Sequence, residues 1–375
     1  MRIGIDAHSA ERDGTGNCTY TRNLILALAD YDRENLLILF VTDAEHPFYK
    51  SLLGKPNLAI VPIRRSPAWL RVFYWLPQAA RRENVDLLHV QYFAPLGRRL
   101  PVVNMIHDVA WMRFPQFFSF LERTFLGLLV PGSARRARYV LTTSGVSKND
   151  LVQLLNLPSE KVKVTHNGVS ASFSRDAMDG ARSQQVCAEY GLKRKFLLYV
   201  GRIDPRKNLV RLIDAYTLLR TKYAMDYQFA IAGKIHLEPQ AMRATLLRSE
   251  YREDIRFCGY VSDEDLPLLY RAADIFVYAS EFEGFGLPPL EAMACGTPVV
   301  ASDIAIFREI LSDAAVLVNP LDVHALAGGI HKIFSDPALR EDLIRKGKLR
   351  AKEFTWENTA KKTLAVFRDA MNPAV

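Results

Sequence analysis

The sequence predicts an α/β protein of two domains, each built on a parallel sheet. A length of 375 residues is more than one hydrophobic core usually serves. Short runs of β-branched, aromatic and aliphatic residues, such as 275–279, are typical of parallel strands that are buried on both faces. The stretch 274–302 joins such a strand to a glycine loop, a helix and a second strand, which is the repeating unit of a parallel α/β sheet.

Proline and glycine mark the limits of the helix in that stretch. Pro288 and Pro289 suit a first helical turn, where a missing amide donor costs nothing. Gly296 is typical of the residue that ends a helix, and the run 298–301 then predicts the next strand.

Seven apolar runs in the first part of the chain predict the strands of the first domain, with helices at 18–30 and 146–156. The polar stretch 170–183 has the composition of a linker, so we expect the domain boundary near residue 170. The predicted strands are 1–7, 36–42, 58–63, 86–92, 102–108, 139–144 and 162–165.

The second part of the chain shows the same pattern and ends in a series of helices. Its predicted strands are 196–201, 228–233, 255–261, 275–279, 298–301 and 315–318. Its predicted helices, besides the one after Pro288, are 266–273, 306–311, 322–334, 337–353 and 356–370.

Composition predicts a cytoplasmic globular protein, with 49% apolar and 24% charged residues. The first residues enter a strand at once, so no signal peptide is expected, and no apolar run is long enough to span a membrane. The four cysteines are widely spaced and predict reduced thiols rather than metal ligands: Cys18, Cys187, Cys258 and Cys295.

The excess of positive charge lies in the first part of the chain. The net charge is +8, and residues 1–170 hold 21 Lys and Arg against 14 Asp and Glu. This asymmetry favours an acidic partner such as anionic lipid, lipid pyrophosphate or nucleic acid. Within it, residues 64–82 interleave five arginines with four large aromatic residues. The segment is either an amphipathic element at a membrane interface or a surface helix whose aromatic residues pack on the sheet.

The loop after the predicted strand 275–279 carries two glutamates. Glu283 lies in the loop itself, and Glu291 lies in the first turns of the following helix. Gly284 and Gly286 between them allow backbone amides to approach a ligand closely, at the edge where open α/β sheets bind ligands. The alternative is a capped helix with two solvated acids.

The whole string from Glu283 to Ser302 resembles the E-x7-E signature of retaining, nucleotide-sugar-dependent glycosyltransferases of family 4. The resemblance implies the GT-B fold, with two facing Rossmann-like domains, a central cleft and a C-terminal helix that crosses back onto the first domain. It implies an acceptor-binding domain at 1–170, a donor-binding domain at 171–355, and a crossover helix at about 356–375. It also implies that the nucleotide-sugar is a substrate and that no cofactor is needed.

The resemblance extends to the segment that follows the strand 196–201. Gly201-Arg202 and Lys207-Asn208 match the family's G-R-x-x-x-x-K-N segment. An arginine engages two phosphate oxygens and a lysine supplies a compact charge, so we expect Arg202 and Lys207 to project toward a departing diphosphate. The alternative is a solvated pair of surface cations. We expect no metal, since no Asp-x-Asp motif lies on a suitable loop.

The resemblance also implies the other donor contacts. Glu291 is expected to bind the ribose hydroxyls, and Glu283 to bind hydroxyls of the donor sugar together with the amides of 285–287. The loops at the nucleotide base are expected to contain Gly233 and Lys234, and Tyr260 and Val261. The donor-binding residues of this segment are thus Glu283, Gly284, Phe285, Gly286, Leu287 and Glu291.

Two residues of the first domain complete the predicted site. The loop 14–17 holds a glycine pair before a helix, and the resemblance implies that Gly16 approaches the donor diphosphate. His107 ends a predicted strand, and the resemblance implies that it contacts the donor sugar as a catalytic residue. The alternatives are a flexible helix start for Gly16 and a structural, backbone-bonded histidine for His107.

The forms His107-Asp108 and Pro288-Pro289 resemble bacterial enzymes that move mannose or a related deoxysugar from a GDP donor during surface polysaccharide or lipopolysaccharide synthesis. The expected acceptor is a saccharide, lipid-linked or soluble, with residues 64–82 at the inner membrane face and no nucleic-acid partner. A UDP-sugar transferase, a nucleotide-sugar epimerase or phosphorylase on the same fold, and a non-enzymatic protein that binds anionic polymers or membranes are alternatives. A dehydrogenase is disfavoured, because the dinucleotide fingerprint is missing.

Overall fold

The computed structural model describes residues 1–97, 100–174, 180–193, 195–235 and 240–372. The chain forms two compact units. Unit 1 comprises Met1–Gly168 together with the chain from Trp356 onward, and unit 2 comprises Val169–Thr355.

Unit 1 is built on a seven-stranded parallel sheet. Its strands are β1 (Arg2–Asp6), β2 (Leu36–Val41), β3 (Leu58–Pro62), β4 (Leu87–Gln91), β5 (Val102–Met105), β6 (Tyr139–Thr142) and β7 (Val162–Val164). They lie in the order β3-β2-β1-β4-β5-β6-β7. The helices are α1 (Gly16–Tyr31), α2 (Pro47–Lys50), α3 (Ala68–Leu70), α4 (Leu76–Arg82), α5 (Ala110–Arg113), α6 (Phe120–Arg136) and α7 (Gly145–Leu155).

Successive strand residues of unit 1 point to opposite faces of the sheet, and both faces are covered. On one face, Leu87 joins the core beneath α1, whereas its neighbour Leu88 joins the core beneath α4 on the other face. Helix α6 packs on the same face as α4. Val102 belongs to the α4 core, and Asn104, two residues along the strand, pairs with Val140 of the α6 core.

Unit 2 is built on a six-stranded parallel sheet. Its strands are β8 (Phe196–Val200), β9 (Gln228–Ala232), β10 (Ile255–Gly259), β11 (Ile275–Tyr278), β12 (Val299–Ser302) and β13 (Val316–Val318), in the order β10-β9-β8-β11-β12-β13. Its helices are α8 (Ala171–Ser174), α9 (Gly180–Glu189), α10 (Leu209–Tyr223), α11 (Gln240–Arg248), α12 (Leu266–Ala272), α13 (Leu287–Ala294), α14 (Ala305–Leu311), α15 (Val323–Ser335) and α16 (Pro337–Ala351). The predicted α/β class with parallel sheets is confirmed.

The final helix, α17 (Trp356–Met371), belongs to unit 1 although the chain reaches it from unit 2. It packs along α1, and its apolar residues enter the same core as β1, β2 and β4. Trp356 lies 6.3 Å from Tyr20, and Phe367 lies 5.5 Å from His89, between ring centroids. Residues 373–375 of the predicted crossover segment lie outside the described residues.

Several parts of the chain differ from the prediction, and helices α10 and α11 are among those that were not predicted. Residues 120–136 form the 17-residue helix α6, which the sequence pattern does not predict. This helix is apolar on several sides and contains Pro131, so it lacks the periodic pattern of an amphipathic helix. The predicted linker 170–183 contains the helix α8 and the start of α9, while its residues 175–179 lie outside the described residues.

Candidate functional site

The strand order of each sheet reverses at one place, and the segments that follow the strands there carry part of the predicted site. In unit 2 these segments hold Arg202, Lys207 and the residues from Glu283 to Glu291, and in unit 1 Gly16 follows β1. In unit 2 the order reverses between β8 and β11, and in unit 1 between β1 and β4. At such a point neighbouring connections leave for opposite faces of the sheet, which opens a crevice at the carboxyl ends of the strands. The loops after β8 and β11 are 201–208 and 279–286, the two segments with the strongest sequence patterns.

Lys207 and Glu283 form a buried ion pair at the switch point of unit 2. The Lys207 Nζ atom contacts Oε1 of Glu283 and donates a hydrogen bond to the Tyr278 hydroxyl at 2.8 Å. Lys207 and Glu283 are each 8% exposed. The sequence predicts that Lys207 projects from the strand–helix junction toward a diphosphate. In the structure its side chain is buried, and Glu283 compensates its charge.

Burial opposes both charges of this pair. It lowers the pKa of Lys207, against the opposing effect of Glu283. Burial also acts to raise the pKa of Glu283, but the positive charges of Lys207 and Arg206 outweigh it and hold that pKa below its ordinary value. Glu283 is therefore a carboxylate at neutral pH, and it is able to accept hydrogen bonds from hydroxyl groups.

Arg202 is the more accessible cation of the same loop. Its side chain is 43% exposed, and its Nε and Nη2 atoms lie 3.4 and 3.3 Å from Oδ2 of Asp204. Asp204 also accepts a hydrogen bond from the backbone amide of Arg206, which starts the 3-10 turn Pro205–Lys207. This carboxylate orients Arg202 beside the strand exit.

The backbones of two loops touch where the predicted base contacts begin. Gly233 has a φ of +147°, and a Cβ atom there would lie 1.9 Å from the carbonyl oxygen of Gly201. Only glycine fits this approach. The next residue, Lys234, is exposed, and its Nζ lies 4.7 Å from the centroid of the Tyr260 ring. Tyr260 is 47% exposed, so its ring is accessible to a ligand. Val261 is 6% exposed, so its side chain packs inside unit 2 and holds this loop in place.

The loop 284–286 leads into helix α13, which begins with Leu287 and two prolines. Gly286 adopts a left-handed φ of +94°, and a Cβ atom there would lie 2.5 Å from the buried ring of Phe307. Gly284 and Phe285 are buried in this turn. The first amides of α13 therefore follow a tight turn that only glycine permits.

Glu291 lies one turn further along α13 and is partly buried. Its Oε2 atom accepts a hydrogen bond from the hydroxyl of the fully buried Tyr270 at 3.0 Å. Burial raises the pKa of Glu291 to about 7, although the Tyr270 bond favours the ionised form. The carboxyl group thus titrates near neutral pH.

In unit 1, Gly16 is the exposed first residue of α1. The Thr15 hydroxyl caps this helix by accepting a hydrogen bond from the amide of Cys18 at 3.2 Å. A Cβ atom built on Gly16 meets nothing within 4 Å. Local packing therefore does not require glycine here, whereas close approach of a ligand to the helix N-terminus would.

His107 follows β5 and is 9% exposed. Its Nε2 atom lies 3.1 Å from Oε1 of Gln91, and its ring meets the edge of Tyr20 at 4.8 Å between centroids. Burial lowers the pKa of His107 to about 3, so the imidazole is neutral at physiological pH. Within the described ranges, no group of three or more His, Cys, Asp or Glu side chains is arranged to hold a metal ion.

Three further residues shape these loops, and the sequence assigned no role to any of them, although Asn208 belongs to the matched segment. Asn208 adopts a left-handed φ of +60° and donates to the carbonyl oxygens of Ala279 at 3.1 Å and Pro320 at 2.7 Å, so it ties the two site loops together. The Tyr278 hydroxyl accepts a hydrogen bond from Lys207, and the Tyr270 hydroxyl donates one to Glu291. Their hydroxyls lie at strand and helix positions that look like ordinary core, and only the buried charges beside them indicate a role.

A second ion pair lies at the carboxyl end of β1. Arg71 is 4% exposed, and its Nη1 atom lies 2.6 Å from both oxygens of Asp6. Although burial acts to raise it, His8 and Arg71 hold the pKa of Asp6 below its usual range. Arg71 belongs to the segment 64–82, which is predicted to lie at a membrane interface. Because its charge is paired with Asp6 inside unit 1, Arg71 does not contribute to the exposed basic surface of that segment.

Comparisons with known protein families match both parts of the chain. The family model described as glycosyltransferase family 4 matches residues 16–173, and the one described as glycosyl transferases group 1 matches residues 188–350. O-antigen chain mannosyltransferase B of Escherichia coli is 33% identical over 312 residues, which cover 82% of this chain and 81% of that protein. O-antigen chain mannosyltransferase RfbU of Salmonella typhimurium is 28% identical over 344 residues, with 86% and 88% covered.

Solved structures share the fold at lower identity. Sucrose-phosphate synthase from Thermosynechococcus elongatus superposes with a TM-score of 0.78 and 22% identity, over the full length of both chains. HepE from Anabaena, solved in complex with UDP and glucose, superposes with a TM-score of 0.74 and 19% identity, over 98% of this chain and 100% of that one. The fold is therefore GT-B, as the sequence resemblance implies. Among the described residues, no helix is both long and apolar enough to cross a membrane.

Proposed function

Because this chain belongs to glycosyltransferase family 4, we propose that it transfers a hexose from a nucleotide-sugar donor to a saccharide acceptor, with retention at the anomeric carbon. One observation carries the proposal. The loops after β8 and β11 join Lys207 and Glu283 in a buried ion pair, with the half-exposed Arg202 on the same strand exit. A diphosphate leaving group needs cations, and a sugar needs a fixed acceptor for its hydroxyls.

The two cations are proposed to act differently. Arg202 reaches the departing diphosphate directly and engages its oxygens, while Lys207 adds positive charge from inside the loop. The ion pair keeps Glu283 ionised and in place, so that this carboxylate and the amides of 285–287 bind hydroxyls of the sugar. Glu291 accepts hydrogen bonds from the ribose hydroxyls, and the loops with Lys234 and Tyr260 flank the base.

In the proposed reaction, the bond from the anomeric carbon to the diphosphate oxygen breaks and the acceptor hydroxyl oxygen bonds to that carbon from the same face. The hydroxyl proton passes to the departing diphosphate. Positive charge that meets the leaving group more strongly as its own charge develops lowers the barrier. Glu283 serves as a hydrogen-bond acceptor here and not as a nucleophile.

The donor we propose is a GDP-linked mannose or related deoxysugar, and the acceptor is a lipid-linked saccharide of a bacterial surface polysaccharide. The support is that relatives named as O-antigen chain mannosyltransferases cover more than four fifths of the chain. The named alternative is a UDP-sugar, because the similar fold of Anabaena HepE holds UDP and glucose. The site residues described above would serve either base.

The first experiment is thermal unfolding with GDP, UDP, ADP or dTDP in the presence of EDTA, for the wild type and for Glu291→Ala. A nucleotide at 100 times its dissociation constant stabilises a protein by about 2.7 kcal/mol. We expect one nucleotide, GDP, to stabilise the wild type and to lose this effect in the variant. Stabilisation by UDP alone would replace the donor class, and no stabilisation by any nucleotide would overturn the proposal.

We further propose that unit 1 contacts an anionic membrane through the segment 64–82 and helix α6, which cover one face of its sheet. In the segment 64–82, Trp69 is 56% and Tyr74 51% exposed. Helix α6 on the same face exposes a stripe at helical spacing i, i+4, i+7, formed by Leu121, Phe125 and Leu128. Residues 110–138 hold five arginines and one glutamate, so this apolar stripe lies in a basic region.

A further inference from the structure

A chain of hydrogen bonds links helix α1 to His107 through the side chain of Gln91. The Thr21 hydroxyl donates to the backbone oxygen of Asn17 at 2.7 Å. The Gln91 Nε2 atom donates to the Thr21 hydroxyl oxygen at 2.7 Å, and Gln91 Oε1 lies 3.1 Å from Nε2 of His107. Thr21 is 2% exposed, so water does not compete for its hydroxyl.

The direction of each bond follows from the one before it. Thr21 has a single hydroxyl proton, and the Asn17 carbonyl can only accept it. Thr21 must then accept from Gln91, which turns the amide nitrogen of Gln91 toward Thr21 and its oxygen toward His107. An amide oxygen can only accept, so the Nε2 atom of His107 carries the proton.

From this chain we infer that Thr21 and Gln91 fix the tautomer of His107 and so make its Nδ1 atom a pure hydrogen-bond acceptor for a hydroxyl of the bound sugar. The inference deepens the proposed function and rests on it, together with the sugar contact that the sequence resemblance implies for His107. Thr21 and Gln91 are positioning residues, since they act through the imidazole. His107 is more than nine-tenths buried, and within the described residues its Nδ1 atom has no hydrogen-bond partner.

His89, a second buried histidine that interacts with His107, has the opposite tautomer. Its Nδ1 atom lies 3.1 Å from the carbonyl oxygen of Val103, which can only accept, so Nδ1 carries the proton. Its Nε2 atom then accepts from the Tyr20 hydroxyl at 3.3 Å. The two buried histidines thus carry their proton on different ring nitrogens, His89 on Nδ1 and His107 on Nε2. His89 therefore serves as an internal reference for the measured tautomer of His107.

An acceptor-only Nδ1 selects what it meets. A sugar hydroxyl donates its proton to the ring nitrogen, whereas a fluorine or a missing oxygen at that carbon cannot. A site with a buried polar atom rejects ligands that leave it unpaired, more strongly than an apolar pocket rejects an added group. The inferred tautomer therefore predicts discrimination between the natural donor and the analogue that lacks this one hydroxyl.

The test is nitrogen-15 NMR of the full chain labelled at histidine, in which the couplings of each ring nitrogen to the carbon-bound protons identify the tautomer. We expect His107 protonated at Nε2 and His89 protonated at Nδ1, each assigned by its substitution to Gln. Thr21→Val should mix the tautomers of His107, and Thr21→Ser should restore a single one. A wild-type His107 protonated at Nδ1 would overturn the inference.

Kinetics supply the second readout. Thr21→Val should raise the KM for the donor about threefold to tenfold, as expected for one hydrogen bond, and Thr21→Ser should restore it. Tyr20→Phe, which removes the donor to His89 only, should leave the His107 tautomer unchanged. A mixed tautomer in Thr21→Val with an unaltered donor KM would overturn the acceptor role of Nδ1.

A Gln91→Glu variant tests the same chain by pH. A carboxylate beside His107 favours the imidazolium, whose Nδ1 atom donates and cannot accept. Among the titratable groups beside the His107 ring, Tyr20 and Tyr92 pack on it and His89 interacts with it electrostatically. The wild-type profile of kcat/KM is expected to follow Glu291 alone. That of the variant should fall further on acidification, and identical profiles would contradict the inference.

The proposed function and the inferred tautomer can be refuted independently. The NMR readout needs no substrate, so the expected tautomers without any nucleotide stabilisation would refute the proposed function and leave the hydrogen-bond chain standing. Donor stabilisation and turnover with the opposite tautomer would refute the inference alone.

Discussion

Lys207 and Glu283 lie 76 residues apart in the sequence, and their side chains meet as a buried ion pair between the loops after β8 and β11. The pair joins two adjacent strand exits, together with the hydrogen bond from Asn208 to the carbonyl oxygen of Ala279. Removing one partner of a buried pair leaves the other charge uncompensated, which costs more than the pair itself contributes. The pair therefore links the stability of unit 2 to the chemistry proposed for its site.

We expect Glu283→Gln to lower the free energy of unfolding by about 3–5 kcal/mol, because Lys207 then remains buried without a counter-charge. The double variant Lys207→Met with Glu283→Gln should recover much of this loss while remaining inactive. Urea unfolding at neutral pH measures both. The matched control is Glu281→Gln, which breaks the more exposed pair with Arg211 and should cost less than about 1 kcal/mol. Strictly additive costs in the double variant would contradict the pairing.

The pKa of Glu291 predicts a pH dependence of stability. Its ordinary value of 4.5 applies to the unfolded chain, and the folded value is about 7, so the folded state holds an extra proton between these pH values. The stability advantage of wild type over Glu291→Gln should therefore be largest below about pH 4.5 and should decline as the pH rises through about 7. The change is about 3 kcal/mol, since one pKa unit corresponds to 1.36 kcal/mol. Thermal unfolding of both proteins across this range measures it, and a pH-independent difference would contradict the shift.

Donor binding should depend on the same group with the opposite sign. The proposed ribose contact requires the carboxylate, so affinity for the nucleotide should increase as the pH rises through about 7. Isothermal titration of the wild type and of Glu291→Gln separates this effect, since the variant should bind weakly at every pH. An affinity that falls with rising pH in the wild type would exclude the ribose role.

The exposed start of α1 allows a test of Gly16 that leaves the fold intact. Gly16→Ala places a methyl group in open space, and alanine favours a helix more than glycine does, so the free energy of unfolding should rise slightly or stay unchanged. Gly127→Ala in α6 is the matched control, because its Cβ also meets nothing within 4 Å. Only Gly16→Ala should weaken donor binding, by about tenfold if the backbone approaches the diphosphate. Equal binding by the two variants would return Gly16 to a plain helix start.

The apolar stripe of α6 predicts membrane binding. Replacing Leu121, Phe125 and Leu128 by Gln should weaken sedimentation with phosphatidylglycerol vesicles by about tenfold or more, since each side chain loses apolar burial. Raised salt should weaken the wild type as well, because the arginines are screened. The control is Leu247→Gln with Leu349→Gln in unit 2, where both leucines are exposed and no basic stripe is proposed. Undiminished binding of the α6 variant would exclude this surface.

Local patterns predicted most strands because each is a buried apolar run with its own signal. The loop from Glu283 to Glu291 was predicted for the same reason, since its glycines and prolines act within a few residues. The partner of Lys207 could not be predicted in this way, because it depends on β8 and β11 being neighbours. Strand order is a property of the whole sheet, and no single segment encodes it.

Helix α6 shows a second limit. Its residues are apolar on both the core side, where Val130 and Ala134 are buried, and the solvent side, where Leu121 and Leu128 are more than 70% exposed. A periodic pattern arises only when one side of a helix is polar. The exposed apolar residues of α6 are the reason that its sequence does not predict a helix. The same residues support the membrane contact proposed for it.

The position of α17 has a consequence for how the protein is made. The core of unit 1 includes Trp356, Leu364 and Phe367, which leave the ribosome after all of unit 2 has been synthesised. Domains usually fold in the order in which they emerge. Here the core of the unit that is synthesised first is completed only by the last helix. The nascent chain therefore carries the finished sheet of unit 1 without its helix α17 through the translation of nearly 200 residues, from Val169 to Thr355.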